Sequence, residues 1–488
     1  MKKNRILSFA AGLLLSCSLN LSFAQSANDV PPITPEAQQD AQAYLTVSKS
    51  GNAKQMEAQK KAIVKKYKKN EGMLLSIGQY FFKNENYDEA IVFAKAAYDR
   101  DSKSVSAVLL EGDSYYAQNK YGEAAGSYEQ ARMINENDKR AYFSLVKVYK
   151  FIDPELALEI MNTIKEKYPD DLAIHKTMAS IYYHQNDTAK ANSTYKLYFN
   201  SVKLEDDVEA ATEFAIVQFL NKDYAGSLKV VNAIIAKAPK EISLNRMKFY
   251  DYVELKQFKE AEEASKSFFG QYADTLYNFS DYKYEGLLQS KLNNMEKSAV
   301  AYTKAIEMAP DEKKTALMKD LSDAYLNAGK YDEAADAYQK YIDKVNPESL
   351  VERYNKGRIY YTALADTTIT DEQKKHFIEA GDALFKEVAA KDESYLGPFW
   401  SARINAMLDP ESPNEVSMQQ YAEAMKRLEG KDNSYDSKRV ECLRYMTFYY
   451  FKTDDYDNSL AYAEKVLAIS PNDGLATQIK NVLSQLKK

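Results

Sequence analysis

Residues Val105–Glu136 read VSAVLLEGDSYYAQNKYGEAAGSYEQARMINE. Apolar residues recur at helical spacing on both sides of a central turn, which predicts two amphipathic helices. Gly112 and Ala124 are small, and large aromatic residues surround them at Tyr115, Tyr121 and Tyr128. Two antiparallel helices approach most closely where both carry small side chains, and aromatic rings fill the space above and below. The stretch therefore predicts a tightly packed helical hairpin.

The same pattern of small and aromatic residues recurs along the chain at intervals of about 34 residues. It is clear again at Leu321–Tyr341, LSDAYLNAGKYDEAADAYQKY, where Gly329 is placed to end the first helix. This pattern resembles the tetratricopeptide repeat (TPR), and its register extends over about eleven units between Glu71 and Asn472. The resemblance implies an all-α fold, a right-handed α-solenoid of helical hairpins in which the first helices line a concave groove.

The sequence divides into five predicted segments. They are a signal peptide at 1–24, a linker with N-terminal capping helices at 25–70, a regular TPR array at 71–348, irregular TPR-like repeats at 349–472 and a C-terminal capping helix at 473–488. Capping helices are expected because the terminal repeats of a solenoid need an atypical outer face. The irregular part contains two polar insertions, Asp366–Lys375 and Asp409–Glu415, which resemble those of exported repeat proteins from Bacteroidetes.

Met1–Ala24 has the features of an export signal. Basic residues at its start precede an apolar run, Ile6–Leu15, and a small-residue site precedes Gln25. This order predicts cleavage between Ala24 and Gln25 and export to the periplasm. Leu14-Leu15-Ser16-Cys17 is similar to a bacterial lipobox, so lipidation of Cys17 and attachment to the outer membrane form the alternative.

Charge and cysteine content restrict the partners of the exported chain. Without the signal, 62 Lys and Arg face 71 Asp and Glu, an acidic balance that argues against nucleic-acid binding. No later apolar run is long enough to span a bilayer, so a membrane is an expected partner only through Cys17. Cys442 is then the single remaining thiol, and its apolar neighbours predict a buried structural cysteine.

Catalytic and metal-binding motifs are not found in the sequence. No carboxylate accompanies His175, His184 or His376 at the spacing of a helical metal site. The sequence also contains no glycine-rich phosphate loop after a strand, no GxSxG elbow and no Cys/His pair. We therefore expect no catalytic residue, no cofactor and no metal, and we do not expect an enzyme.

The TPR register predicts which residues face the groove. The position four residues beyond the small site of each first helix is mostly aromatic, at Phe82, Tyr116, Tyr183, Phe219, Tyr361 and Phe451, with Lys150 among them. Tyr250 directly follows the register position of the small site in its repeat, and a basic row lies three residues before that position at Lys176, Arg246, Lys283, Lys319 and Arg444. The resemblance implies that the aromatic side chains contact a peptide or irregular loop, while the basic row attracts its acidic groups. Alternatively, the aromatic side chains pack between neighbouring first helices and the basic ones are solvated.

These expectations combine into a non-catalytic scaffold for protein–protein interactions in the bacterial cell envelope. The sequence does not specify the protein or peptide partner. One alternative is a lipid-anchored outer-membrane adaptor for envelope assembly or secretion. Another is a glycan-capturing lipoprotein on a TPR scaffold, in which the insertions and Trp400 would form the sugar site.

Overall fold

The computed structural model describes residues 32–49 and 52–486, and every regular element within these ranges is helical. They contain 25 α-helices and three short 3-10 helices, and none of these helices combines the length and the apolar character needed to cross a bilayer. The predicted signal peptide, the cleavage site at Ala24–Gln25 and the lipidation site at Cys17 lie outside the described residues. The chain divides between Gln271 and Tyr272 into two compact units.

The first unit is a stack of helical hairpins behind two N-terminal helices. Its helices are α1 (Pro35–Lys49), α2 (Ala53–Lys66), α3 (Glu71–Lys83), α4 (Tyr87–Tyr98), α5 (Val105–Ala117), α6 (Tyr121–Ile134), α7 (Lys139–Ile152), α8 (Pro154–Lys167), α9 (Leu172–His184), α10 (Thr188–Phe199), α11 (Val208–Leu220), α12 (Tyr224–Ile234), α13 (Ile242–Glu254) and α14 (Phe258–Gln271). Helices α3 to α14 pair in order as six hairpins, and the second helix of one hairpin packs on the first helix of the next. Helices α1 and α2 pack on each other, and α1 covers α3.

The second unit repeats this arrangement. Its helices are α15 (Phe279–Lys291), α16 (Met295–Met308), α17 (Asp311–Asn327), α18 (Tyr331–Val345), α19 (Leu350–Ala363), α20 (Asp371–Lys391), α21 (Leu396–Ala406), α22 (Glu415–Arg427), α23 (Asp436–Lys452), α24 (Tyr456–Ile469) and α25 (Gly474–Leu486). Five hairpins follow one another, and α25 packs on α24 at the end. The prediction of an all-α solenoid of helical hairpins is confirmed.

Close packing of small against aromatic residues holds each hairpin together. In the α5–α6 hairpin, a Cβ atom added to Gly112 would lie 2.5 Å from Cε1 of the fully buried Tyr128. Gly286 meets Tyr302 in the same way, and Gly357 meets Phe385. Tyr128 thus fills the space that the sequence predicted, whereas Tyr121 is 40% exposed and lies at the turn.

The turn inside most hairpins contains one residue in the left-handed backbone region. Positive φ angles occur at Glu85, Asn119, Asn186, Lys222, Lys256, Asn293, Gly329 and Asp454, each shortly before a second helix. The prediction for Gly329 is therefore confirmed, since its φ is 73°. Most of the other turns adopt this conformation without glycine, at an energetic cost.

The first insertion is more helical than its composition suggests. Its residues from Asp371 onward belong to α20, which is 21 residues long. Thr370 caps this helix, and its backbone N–H donates a hydrogen bond to Oε1 of Gln373 in a capping box. The Thr-rich sequence therefore starts a long helix after a short turn. Cys442, on α23, is completely buried as predicted, and burial raises the pKa of its thiol.

Candidate functional site

The predicted aromatic stripe is largely used for packing within hairpins. Phe82 contacts Tyr87 with 5.5 Å between ring centroids, Tyr116 contacts Tyr121 at 5.3 Å, and Phe219 contacts Tyr224 at 5.2 Å. In each pair the tyrosine is the first residue of the second helix of the same hairpin. These rings therefore close the turn of their own hairpin, a contact that differs from both packing between neighbouring first helices and exposure in a groove.

Four predicted groove residues are too deeply buried to contact a partner. Tyr183 is 4% exposed, Phe219 6%, Tyr250 1% and Arg246 1%. The rings of Phe219 and Tyr250 lie 6.0 Å apart on the neighbouring first helices α11 and α13. Neighbouring first helices thus approach closely enough to enclose these side chains, and the prediction that they line an open surface is wrong.

Part of the predicted basic row forms ion pairs between repeats. Lys176 Nζ lies 2.8 Å from Oδ2 of Asp207, and Arg444 pairs with Asp473. Both aspartates precede the first residue of a helix and accept a backbone N–H from its first turn. Asp171 has the same two roles, capping α9 while it pairs with Lys139. These basic residues therefore join neighbouring repeats through an N-terminal cap.

The remaining members of the basic row lie among acidic residues. Lys319 is exposed, and its Nζ lies 5.6 Å from the ring centroid of Tyr341. Lys283 is half-buried near Asp320, and it opposes the rise in the pKa of that carboxyl that burial causes. Asp323 is exposed on the same helix as Lys319. This mixture of charges does not form a continuous basic strip.

The second unit brings aromatic and arginine side chains together around Trp400. We define the Trp400 cluster as Tyr354, Arg358, Tyr361, Trp400 and Arg403, which come from the first helices α19 and α21. The centroid of the Trp400 ring lies 5.0 Å from that of Tyr361 and 5.7 Å from that of Tyr354. All three rings are half-buried. Of the predicted groove residues, Tyr361 alone belongs to this cluster.

Two guanidinium groups complete the Trp400 cluster. The Cζ atoms of Arg403 and Arg358 lie 4.9 and 5.4 Å from the Trp400 ring centroid. Arg403 also forms a two-pronged ion pair with Glu441, whose hydrogen bond raises the pKa of the guanidinium. Arg358 is exposed and makes no ion pair with any described residue. Both arginines lie outside the predicted basic row, which occupies the position three residues before the small sites.

A second group of polar residues encloses a cavity in the first unit. Lys150 on α7, Ser180 on α9 and two glutamates on α11, Glu209 and Glu213, line a space of about 20 Å³. Tyr195 donates a hydrogen bond to Glu213. Burial lowers the pKa of Lys150, raises that of Glu209 and lowers that of the adjoining His184 to about 4.

Such shifted pKa values often mark active sites, but this cavity has room for one water molecule and not for a substrate. Ser180 Oγ, His184 Nε2 and Glu209 Oε1 lack a hydrogen-bond partner among the described residues, as expected of groups that a water would bridge. No group of three or more His, Cys, Asp or Glu side chains in the described ranges is arranged to hold a metal ion. His376 instead pairs with Asp332 at 2.9 Å on the surface.

Solved structures of repeat proteins resemble the chain at low identity. The C-terminal part of a TPR repeat-containing protein from Cytophaga hutchinsonii is 21% identical, with 55% of this chain and 98% of that chain covered and a TM-score of 0.40. A tetratricopeptide repeat protein from Parabacteroides merdae is 18% identical over 52% and 98%, with a TM-score of 0.37. PilF from Pseudomonas aeruginosa is 13% identical over 44% and 95%, with a TM-score of 0.38.

Models of one protein family match parts of the sequence. No curated protein matches the chain. Models of the tetratricopeptide repeat match residues 75–141, 285–363 and 449–473. These ranges fall in helical hairpins of both units, where the small and aromatic residues of the repeat pack as described above. Over these three ranges the chain is similar to the tetratricopeptide repeat family.

Proposed function

We propose that this chain is a non-catalytic scaffold for protein–protein interactions, which binds a segment of a partner protein at the Trp400 cluster. The observation that carries the proposal is the half-buried Trp400 ring, which two tyrosines and two arginines surround. Trp, Tyr and Arg are the residue types that most often dominate binding energy at protein interfaces. The proposal replaces the long aromatic groove with one local site on α19 and α21.

The charges of the cluster indicate what it binds. Glu441 neutralises Arg403, whereas Arg358 has no carboxylate partner among the described residues. A guanidinium in that position presents several N–H donors in one plane, which suits a carboxylate. The best-fitting partner is a segment in which an acidic residue, opposite Arg358, stands beside an aromatic or branched apolar residue that contacts Tyr361.

A photo-crosslinking experiment in cells tests this site. We would replace Tyr361 with p-benzoylphenylalanine and compare the adducts formed with and without Arg358→Glu. We expect discrete adducts that Arg358→Glu removes, because the charge reversal repels the acidic residue. Lys375→Glu is the matched control, since Lys375 is equally cationic, exposed and placed on the second helix of the same hairpin. Adducts that persist in Arg358→Glu, or vanish equally in both variants, contradict the proposal.

For the place of action we propose the cell envelope, on the basis of the export signal in residues 1–24. Intact mass spectrometry of the protein from fractionated cells tests this. A periplasmic chain that begins at Gln25 supports the soluble scaffold. An acylated Cys17 in the outer-membrane fraction supports the lipid-anchored adaptor instead, and an uncleaved cytoplasmic chain contradicts both.

A further inference from the structure

A cleft lined by cations lies at the N-terminal end of the first unit. Its volume is about 400 Å³. One wall is α2 and the residues just after it, which contribute Lys60, Lys61, Lys65 and Lys68. The other wall is α4 and the turn after it, which contribute Arg100. Five cations, from α2 and from the residues just after α2 and α4, therefore line one cleft.

These cations are mostly unneutralised. Glu57 forms ion pairs with two of them: its Oε2 lies 2.8 Å from Nζ of Lys60, and its Oε1 lies 3.6 Å from Nζ of Lys61. Lys65, Lys68 and Arg100 form no ion pair with any described residue, and all three are exposed. Lys66, on the opposite side of α2, differs because it pairs with Glu36 and Asp40 of α1. Of these lysines, Lys66 thus joins α2 to α1, whereas the other four line the cleft.

Apolar groups form the floor of the cleft. Val64 of α2 and Val92 of α4 are half-buried between the cations. Bringing an apolar side chain onto them would remove apolar surface from water, in addition to the electrostatic attraction of the rim. A chain that is acidic overall therefore has a positively charged cleft with an apolar base.

We propose that this cleft is a docking site for an extended acidic protein segment, separate from the Trp400 cluster. Lys60 to Lys68 spans about 12 Å along the helix axis, which matches about four residues of extended chain. The segment it fits places acidic residues on both sides of one apolar residue, so that the apolar side chain rests on Val64 and Val92. We assign the cleft to a peptide rather than to a membrane surface, because Val64 and Val92 lie half-buried between the cations, where a single apolar side chain fits.

A selection from a random dodecamer library, displayed on phage, tests the proposal. The full chain without residues 1–24 is the bait, and the Lys65→Glu/Lys68→Glu variant is used for counter-selection. We expect enrichment of peptides with net negative charge and an apolar residue between acids. We expect the double reversal to weaken binding of the enriched peptide about 30-fold, because it replaces two attractions by two repulsions. Binding should also weaken in 0.5 M salt, where the Debye length falls to about 4 Å.

Two further variants separate docking from folding. Lys54→Glu/Lys103→Glu makes the same change in net charge at exposed positions that do not line the cleft, and should leave binding within about twofold of wild type. Arg100→Glu lies outside α2 and should weaken binding about fivefold even if the α2 variant unfolds. Enrichment without acidic bias, or equal loss in the control, overturns the proposal. Binding to anionic phosphatidylglycerol vesicles without acidic peptides, or self-association that Lys65→Glu/Lys68→Glu abolishes, assigns the cleft to a membrane or a second copy and likewise overturns it.

Discussion

Replacing Gly112 with Ala is expected to weaken the α5–α6 hairpin, although Ala is the better helix former. The added Cβ would lie 2.5 Å from Cε1 and 2.7 Å from Cδ1 of Tyr128. Tyr128 is fully buried, and its hydroxyl donates a 2.6 Å hydrogen bond to Oδ1 of Asp113. The ring therefore has little room to move, and any movement stretches this hydrogen bond.

The expected loss of stability combines two destabilising contributions and one stabilising contribution. Overpacking a core by one carbon costs about 2 kcal/mol, and weakening the hydrogen bond between Tyr128 and Asp113 costs about 1 kcal/mol. Ala recovers about 1 kcal/mol over Gly inside a helix. We therefore expect the free energy of local unfolding to fall by about 2 kcal/mol. Gly126 supplies the control, because it lies within α6, is exposed and has no atom within 4 Å of an added Cβ.

Hydrogen–deuterium exchange of peptides from residues 105–134 measures this difference locally. In a repeat array, exchange reports the opening of each segment and so locates the change in the hairpin that carries it. Gly112→Ala should speed exchange about 30-fold, since 1.4 kcal/mol corresponds to a factor of ten. Gly126→Ala should slow it, by up to about fivefold, because it gains helix propensity alone. Exchange in Gly112→Ala that is as slow as in wild type would refute the close-packing argument.

Three further predictions concern pH, a cap and a turn. Burial lowers the pKa of His184 to about 4. Between pH 6.5 and 4 the unfolded chain therefore binds a proton that the folded chain does not, and the free energy of unfolding decreases as the pH is lowered. Between pH 7 and 5 wild type should lose about 2 kcal/mol more than His184→Gln, as seen in urea midpoints; parallel pH profiles would contradict this. Asp473→Ala removes the cap of α25 and the ion pair of Arg444, so it should lower the free energy of local unfolding by about 2 kcal/mol. Hydrogen–deuterium exchange should become faster in residues 474–486 alone, and unchanged exchange there would count against this role of Asp473. Lys222→Gly should raise the urea midpoint, because glycine adopts the φ of 62° without the backbone strain of about 1 kcal/mol that lysine carries there. Gly329→Ala should lower the midpoint for the converse reason, and changes of the opposite sign in the two variants would disprove the turn argument.

The fold was predictable because its signal is local and repeated. Small residues such as Gly112 and Gly286 recur where two helices cross, and their aromatic partners follow at a fixed distance along the chain. Each repeat meets only its neighbours, so the same short pattern specifies the packing many times over. The start of α20 was misread because the polar composition of Thr370 and Gln373 suits a loop and a capping box equally well.

The candidate site was much less predictable. A repeat register predicts which face of a helix a residue occupies, but it does not predict how deeply the side chain is buried. Tyr183 and Tyr361 hold the same register position, yet the first is buried and the second is half-exposed. The difference depends on the side chains of the neighbouring first helix, such as Trp400 beside Tyr361. The polar cavity was missed for a related reason. Lys150 and Glu213 lie on different helices, and a lysine within a mostly aromatic series was the one available signal.

The aspartates that cap one helix while pairing with the preceding repeat affect how repeats can be exchanged. Asp207 caps α11, but its ion-pair partner Lys176 belongs to the preceding repeat. Asp171, which caps α9, is related to Lys139 in the same way. A repeat cut at its helix boundaries and grafted into another array would carry an aspartate without its cation. The interchangeable unit of such an array therefore extends past the visible hairpin and includes the aspartate that caps the next first helix.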